Sequence, residues 1–237
     1  MTENTTEDER KTIEILIKFD YDDDQAPKSF NYPFCIRTFR LARGEGRSSL
    51  HHGCLHMFGR IDPKSKFVLL PADDFIFTRK GFVSDILSIK DEFCIVETDK
   101  TDLKKFCGSR YKKNQKQWRA ATAMAAPTIS TRLIEVCSGF GFHEDTDCWA
   151  HLLSIILFDE YNINIRKFVE PFSERKPQKR TLGKGVETFN RPLAYRNTRF
   201  VDKESIDKWF DLVKQQAKNV YLNYAQERIS TESILNM

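Results

Sequence analysis

The chain has 237 residues, of which 40% are apolar and 12% are aromatic, and its formal net charge at pH 7 is +4. This length and apolar content allow one globular domain with a core, and the mild positive charge permits nucleic-acid binding without requiring it. Because the sequence has no run of eighteen apolar residues, we expect no membrane span. Its acidic start MTENTTEDERK lacks the basic beginning and the apolar segment of a secretory signal.

The N-terminal third predicts a leader followed by strands. Residues 1–10 are polar and predict a disordered leader, and residues 11–237 predict a single α/β domain. Alternating apolar residues in KTIEILIKFDY predict a first strand. FCIRTFRLARGEG (34–46) predicts a second strand, joined by a hairpin to a third strand in CLHMFGRID (54–62).

The rest of the chain predicts a strand and then mainly helices. EFCIVETDK (92–100) is typical of a buried strand, and residues 121–137 predict a helix interrupted by Pro127. Residues 145–161 give the clearest helical pattern. A basic loop region over 171–200 precedes an amphipathic C-terminal helix over 205–226. This order predicts a mixed sheet with helices packed on it.

The segment CSGFGFHEDTDCWAH places two cysteines and two histidines between Cys137 and His151. With no secretory signal we expect the protein in the cytoplasm or nucleus, where thiols stay reduced and cysteines are core thiols or metal ligands. Zinc takes thiolates and imidazoles, usually four in a structural site. Three interpretations therefore stay open: a structural zinc site, buried residues without a metal, or a reactive thiol.

Two basic stretches that also contain aromatic residues indicate nucleic-acid binding. Residues 104–120 hold seven Lys or Arg and no acid, with Tyr111 and Trp118 between them, and residues 174–200 form a second such run. Cations neutralise phosphates and aromatic rings stack on unpaired bases, which favours single-stranded RNA. The alternative is a solvated helix face and a loop. The predicted RNA-binding residues are Lys104, Lys105, Arg110, Lys112, Lys113, Lys116, Trp118, Arg119, Arg175, Lys176, Lys179 and Arg180.

Four segments are similar in order and type to one known family. They are ILIKFDY (15–21), CIRTFRLARGEG (35–46), GCLHMFGRIDP (53–63) and CSGFGFHEDTDC (137–148). Together they resemble the Maelstrom domain of the germline small-RNA (piRNA) pathway, and the resemblance touches most of residues 12–165. Members often carry an upstream DNA-binding HMG box, which we do not expect here.

The resemblance implies an RNase H-like fold, related to DEDD exonucleases but without their acids, and one structural zinc held by Glu, Cys, His and Cys. Cys137, His143 and Cys148 match the last three ligands in type and order, although the two gaps differ from the family pattern. No carboxylate stands near Pro33, where the glutamate is expected, so Cys35 is the predicted substitute. The resemblance also implies gene silencing in the germline and residence in perinuclear granules.

The sequence therefore predicts an RNA-binding protein that is non-catalytic or weakly catalytic; any activity would be that of an RNA endonuclease. Arg37 and Arg40 occupy the second strand, where two-metal nucleases need acids. One alternative is an active ribonuclease, either metal-dependent through acids within Asp20–Asp24 and Asp145–Asp147 or independent of metal, as attributed to Maelstrom members; no catalytic residue is identified. The other alternative is a scaffold that binds protein partners through the C-terminal helix.

Overall fold

A computed structural model of the chain provides the coordinates. It describes residues 1–21, 23–24, 27, 29–41, 56–70, 75–97, 128–139, 146–175 and 203–235. The α-helices are α1 (Glu7–Lys11), α2 (Phe82–Leu87), α3 (Thr131–Val136), α4 (Thr146–Tyr161) and α5 (Lys203–Leu235), and a 3-10 helix spans Thr2–Asn4. The strands are β1 (Glu14–Asp20), β2 (Cys35–Leu41), β3 (Phe67–Leu69), β4 (Phe75–Phe77), β5 (Ile95–Glu97), β6 (Thr128–Ser130), β7 (Arg166–Phe168) and β8 (Ser173–Arg175).

A four-stranded mixed sheet forms the centre of the described structure, in the order β3-β6-β5-β7. β5 is antiparallel to β6 and parallel to β7, with Ile95 opposite both Ile129 and Arg166. Ile95 and Ile129 belong to the larger apolar cluster, whereas Cys94 and Val96 belong to a smaller one. Because side chains alternate along a strand, these clusters lie on opposite faces of the sheet. The predicted mixed α/β class with helices on a sheet is confirmed at this level.

The larger cluster packs α4 and α5 on the sheet. All residues of α4 from Trp149 to Leu157 are buried, which explains its long apolar run. α5 contributes Phe210, Val213, Ala217 and Val220, whose spacing of three and four residues places them on one helix face. The helix predicted over 145–161 is confirmed, and the helix predicted over 205–226 is confirmed within a longer one.

The smaller cluster contains a stack of three phenylalanines. The Phe82 ring lies 5.0 Å from that of Phe77 and 4.9 Å from that of Phe172. These rings join α2 to the antiparallel pair β4–β8. β8 lies at the start of the region 171–200, which the sequence predicted as a loop.

Two predicted elements are wrong within the described residues. Residues 56–58, predicted as strand, are helical and lead into a turn in which the backbone bonds locally, as Arg60 N donates to Met57 O at 3.0 Å. Within the helix predicted over 121–137, residues 128–130 are a strand and only Thr131–Val136 are helical. β3 and β5 supply partners on both sides of β6, and this pairing decides its conformation.

β1 and β2 form a separate two-stranded sheet. They are parallel, with Glu14 opposite Cys35. Parallel strands need a long connection, so β1 and β2 are not joined by a tight hairpin. The N-terminal leader also differs from the predicted disorder, because Thr2–Asn4 and Glu7–Lys11 are helical and Thr5 and Glu9 are buried.

None of the helices in the described ranges is both long enough and apolar enough to cross a bilayer.

Candidate functional site

Three strands begin or end at the same end of the four-stranded sheet. β5 ends at Glu97 and the antiparallel β6 begins at Thr128, so these two residues lie at the same end of the sheet. β7 runs parallel to β5, and Val169, just after β7, donates its N–H to the Glu97 carbonyl at 3.0 Å. The first basic run, residues 104–120, therefore lies in the connection between Glu97 and Thr128, which both stand at this end of the sheet.

The second basic run begins close to the same place. Arg175 ends β8 and lies six residues after Val169, which limits their separation to about 20 Å even for an extended chain. Phe172 fixes the intervening segment, since its ring stacks on Phe82 and its carbonyl accepts from Thr78 N at 2.8 Å. Both basic runs thus continue from positions near this end of the described sheet.

The predicted RNA-binding residues other than Arg175 fall outside the described residues. Arg175 lies in β8, paired with Phe75, and its side chain is not described. The others are Lys104, Lys105, Arg110, Lys112, Lys113, Lys116, Trp118, Arg119, Lys176, Lys179 and Arg180. Their role as RNA contacts stays a prediction.

Charge is distributed unevenly along the chain. Residues 98–127 contain eight Lys or Arg against two Asp or Glu, and residues 176–202 contain seven against two. The remaining residues then contain 23 basic and 30 acidic side chains, although the whole chain is positive. The positive charge is therefore concentrated in residues 98–127 and 176–202, which contain most of the two basic runs.

A buried ion pair lies at the same end of the sheet. The guanidinium of Arg166 on β7 bonds the carboxylate of Glu97 on β5, and the exposed fractions of these side chains are 3% and 6%. Burial lowers the pKa of Arg166 to about 10, so the group stays charged at neutral pH. Glu97 is thus neutralised by a cation of the protein itself.

Only part of the acids of the nuclease alternative can be located, and the side chain of Asp147 is not described. Asp20 forms an ion pair with Lys18, and Asp24 is exposed in a turn. Asp22 and Asp145 lie outside the described residues. Across the described ranges and allowing for their gaps, no three His, Cys, Asp or Glu side chains converge on a possible metal position.

The predicted zinc ligands have unequal surroundings. Cys35 is exposed, with its Sγ 3.9 Å from Glu14 Oε1, whereas Cys137 is buried in the larger apolar cluster. These two side chains therefore differ in their exposure to solvent. His143 lies outside the described residues, and Cys148 stands in the first turn of α4 with its side chain not described.

Gln216 holds together the two ends of the predicted ligand segment. Trp149 Nε1 donates to Gln216 Oε1 at 2.8 Å, and Gln216 Nε2 donates to the Cys137 carbonyl at 2.7 Å. The chain before and after residues 138–148 is thereby fixed to the same side chain of α5. Gln216 is not among the residues predicted from the sequence. A polar residue on the apolar helix face that contains Val213 and Ala217 could have indicated a buried hydrogen bond.

Burial determines the protonation of the cysteine and histidine side chains in the core. It raises the pKa of the Cys137 thiol, raises that of Cys94 to about 12, and lowers that of His151 to about 4. At neutral pH these groups are uncharged. A nucleophilic cysteine needs thiolate character, so Cys94 and Cys137 do not support the reactive-thiol interpretation.

The comparisons with known proteins give no relative for this chain. No family model, no curated protein and no solved structure matches it. The likeness to the Maelstrom domain therefore rests on the four sequence segments alone.

Proposed function

We propose that this protein binds single-stranded RNA, using the two basic segments that leave one end of its mixed sheet. The observation that carries the proposal is that both runs continue from near one end of the sheet, since Val169 N bonds Glu97 O and Arg175 follows six residues later. A strand of RNA positioned there is within reach of both segments. Binding without catalysis fits a site in which Arg166 neutralises the nearest buried carboxylate.

The chemistry of the two segments favours a flexible strand over a duplex. Lysine and arginine neutralise phosphates whatever the base sequence. Trp118, and in the second segment Phe189, Tyr195 and Phe200, offer rings on which unpaired bases stack. In a duplex those base faces are already stacked on one another. The resemblance to the Maelstrom domain extends the proposal to small-RNA silencing on an RNase H-like core.

Binding of a fluorescent, unstructured RNA tests the proposal. We expect Lys112→Ala/Lys113→Ala to weaken binding several-fold, because two phosphate contacts are lost. Lys90→Ala/Lys218→Ala removes the same charge from exposed positions outside both segments and serves as the matched control. Equal affinities for the two double variants would contradict the proposed site.

The aromatic contribution is tested separately. Trp118→Ala should weaken RNA binding by about 1–3 kcal/mol if a base stacks on the indole. Tyr32→Ala removes a ring that is 61% exposed and far from both segments in sequence, and it should bind RNA as the unmodified protein does. A duplex probe that binds as tightly as the single strand would argue against stacking on unpaired bases.

A structural zinc is the second part of the proposal. The thiolates of Cys137 and Cys148 and the imidazole of His143 would hold it, with Cys35 as the predicted fourth ligand, and the metal would reinforce the closure that Gln216 already provides. Metal analysis of purified protein should give one zinc per chain, and Cys137→Ser should remove it. Metal-free protein whose stability does not change in chelator would overturn this part.

A protein-interaction scaffold is the alternative that one described feature favours. α5 exposes Tyr221 and Leu222, with exposed fractions of 38% and 47%. Such side chains suit a protein contact. Partners recovered equally well before and after nuclease treatment, and lost with Leu222→Ser, would favour the scaffold over RNA binding.

A further inference from the structure

The N-terminal leader is held by contacts that its own sequence cannot provide. α1 has only five residues, and isolated helices of this length are unstable in water. Its first turn has a capping box, in which Glu9 N donates to Thr6 Oγ1 at 3.1 Å and Thr6 N donates to Glu9 Oε2 at 2.8 Å. A capping box alone does not explain why Glu9 is only 5% exposed.

The second oxygen of Glu9 caps another helix. Glu9 Oε1 accepts from Ser84 N at 3.1 Å and from Ser84 Oγ at 3.2 Å, in the first turn of α2. The N-cap of α2 is Gly81, which has no side chain to offer, so Glu9 supplies the missing acceptor. One carboxylate thus closes the N-terminal turns of two helices that are more than seventy residues apart in sequence.

Further contacts extend the leader across the smaller cluster. Asn4 Nδ2 donates to the Phe77 carbonyl of β4 at 2.6 Å, and Arg10 Nη2 donates to the Thr5 carbonyl at 2.9 Å. Ile13 packs against the smaller cluster immediately before β1 begins. Residues 1–13 therefore run from β4 past α2 and into the two-stranded sheet.

The β1–β2 sheet has a second described attachment on the opposite strand. Arg37 of β2 donates to the Arg60 carbonyl, and the Arg60 guanidinium lies 5.0 Å from the centre of the Phe39 ring. Glu14 accepts from Arg37 at 2.8 Å within the pair itself. The sheet is thus attached through Ile13, just before β1, and through Arg37 and Phe39 on β2.

We propose that residues 1–13 form a clasp that fastens the β1–β2 sheet to the core, and that the clasp stays closed only while Glu9 is charged and faces an uncharged Ser84. Its carboxylate accepts three hydrogen bonds, and because two of the donors are the backbone N–H groups of Thr6 and Ser84, an amide at this position would turn its own donor toward one of them. A negative charge on Ser84 would repel Glu9 at hydrogen-bond distance. Either change opens the clasp without touching the larger cluster.

Hydrogen exchange of the full chain tests this. Glu9→Gln and Ser84→Asp should each speed amide exchange at least tenfold in residues 9–20, while amides of α4 keep their protection. Glu7→Gln, in the same helix with its side chain 87% exposed, is the control for loss of charge, and Ser84→Ala is the control for loss of the hydroxyl. Both controls should exchange more slowly than the two test variants.

Two results would overturn the clasp. If Glu9→Gln and Ser84→Asp exchange no faster than Glu7→Gln in residues 9–20, the leader is held without the Glu9 carboxylate. If α4 loses protection together with the leader in both test variants, the leader belongs to the cooperative core and does not open by itself. RNA affinity does not enter either measurement, so the outcome is independent of the proposed function.

Discussion

At the scale of single residues, Gln216 and His151 show how polar groups are accommodated in the larger cluster. Gln216 is 5% exposed and satisfies two buried groups, the Trp149 indole N–H and the Cys137 carbonyl. His151 is 2% exposed, and burial keeps it neutral by lowering its pKa to about 4. For each residue we can therefore predict how a substitution changes folding stability, independently of the proposed function.

Replacing Gln216 by Leu should destabilise the fold strongly. The change leaves a buried donor and a buried acceptor unsatisfied at about 1–3 kcal/mol each, so the free energy of unfolding should fall by about 2–6 kcal/mol. Gln215→Leu is the control, because Gln215 is exposed and bonds Asn219 on the helix surface at 3.0 Å. Urea denaturation measures both, and equal effects would show that the Gln216 bonds contribute little.

Because the pKa of His151 is lowered by burial, we expect the protein to lose folding stability in mild acid. The unfolded side chain takes a proton near its ordinary pKa of 6.5, whereas the folded one takes it only at about 4. Between these values the unfolded state binds more protons, so stability falls as pH decreases, by up to about 1.4 kcal/mol per pH unit. Urea denaturation at several pH values should show this slope, and His151→Leu should flatten it. An unchanged slope in the variant would contradict the assignment to His151.

At the scale of elements, the long periodic helices were predictable and the short strands were not. The apolar residues of α4 and of α5 repeat at helical spacing, which is local information. β6 has three residues, and its conformation depends on pairing with β3 and β5, which are remote in sequence. The leader likewise depends on Ser84, which no pattern within residues 1–13 indicates.

The buried ion pair between Arg166 and Glu97 should contribute more to folding stability than the adjacent Lys167–Asp91 pair, which is partly exposed. Arg166→Met leaves the Glu97 carboxylate buried without its cation and should cost about 3–5 kcal/mol of folding free energy. Lys167→Met breaks the adjacent pair with Asp91, whose side chains are 35% and 31% exposed, and should cost at most about 1 kcal/mol. Chemical denaturation compares the two variants.

A double substitution distinguishes an ion pair from a packing effect. Glu97→Met/Arg166→Met removes both charges and should be less destabilising than Arg166→Met alone, because no buried charge is left without a partner. If the double variant is as unstable as the sum of the single ones, the two side chains do not interact and the described pairing is wrong.

At the scale of the whole molecule, the composition of the candidate site can be predicted from the sequence, but its location cannot. The basic residues and the Cys–His segment are local features that can be read directly from the chain. That both basic segments leave one end of a sheet follows from the strand order and the Val169–Glu97 bond, which no local pattern contains. The closure of the ligand segment by Gln216 is likewise a long-range contact.

The salt dependence of RNA binding tests the central claim most directly. Each phosphate contact on a single strand contributes a slope of about 0.7 when log affinity is plotted against log salt. We predict that substituting three lysines in residues 104–120, or the three basic residues Lys176, Lys179 and Arg180, lowers this slope, and that substituting both sets lowers it further. An affinity that does not change with salt, or a slope that neither set alters, would contradict RNA binding by these segments.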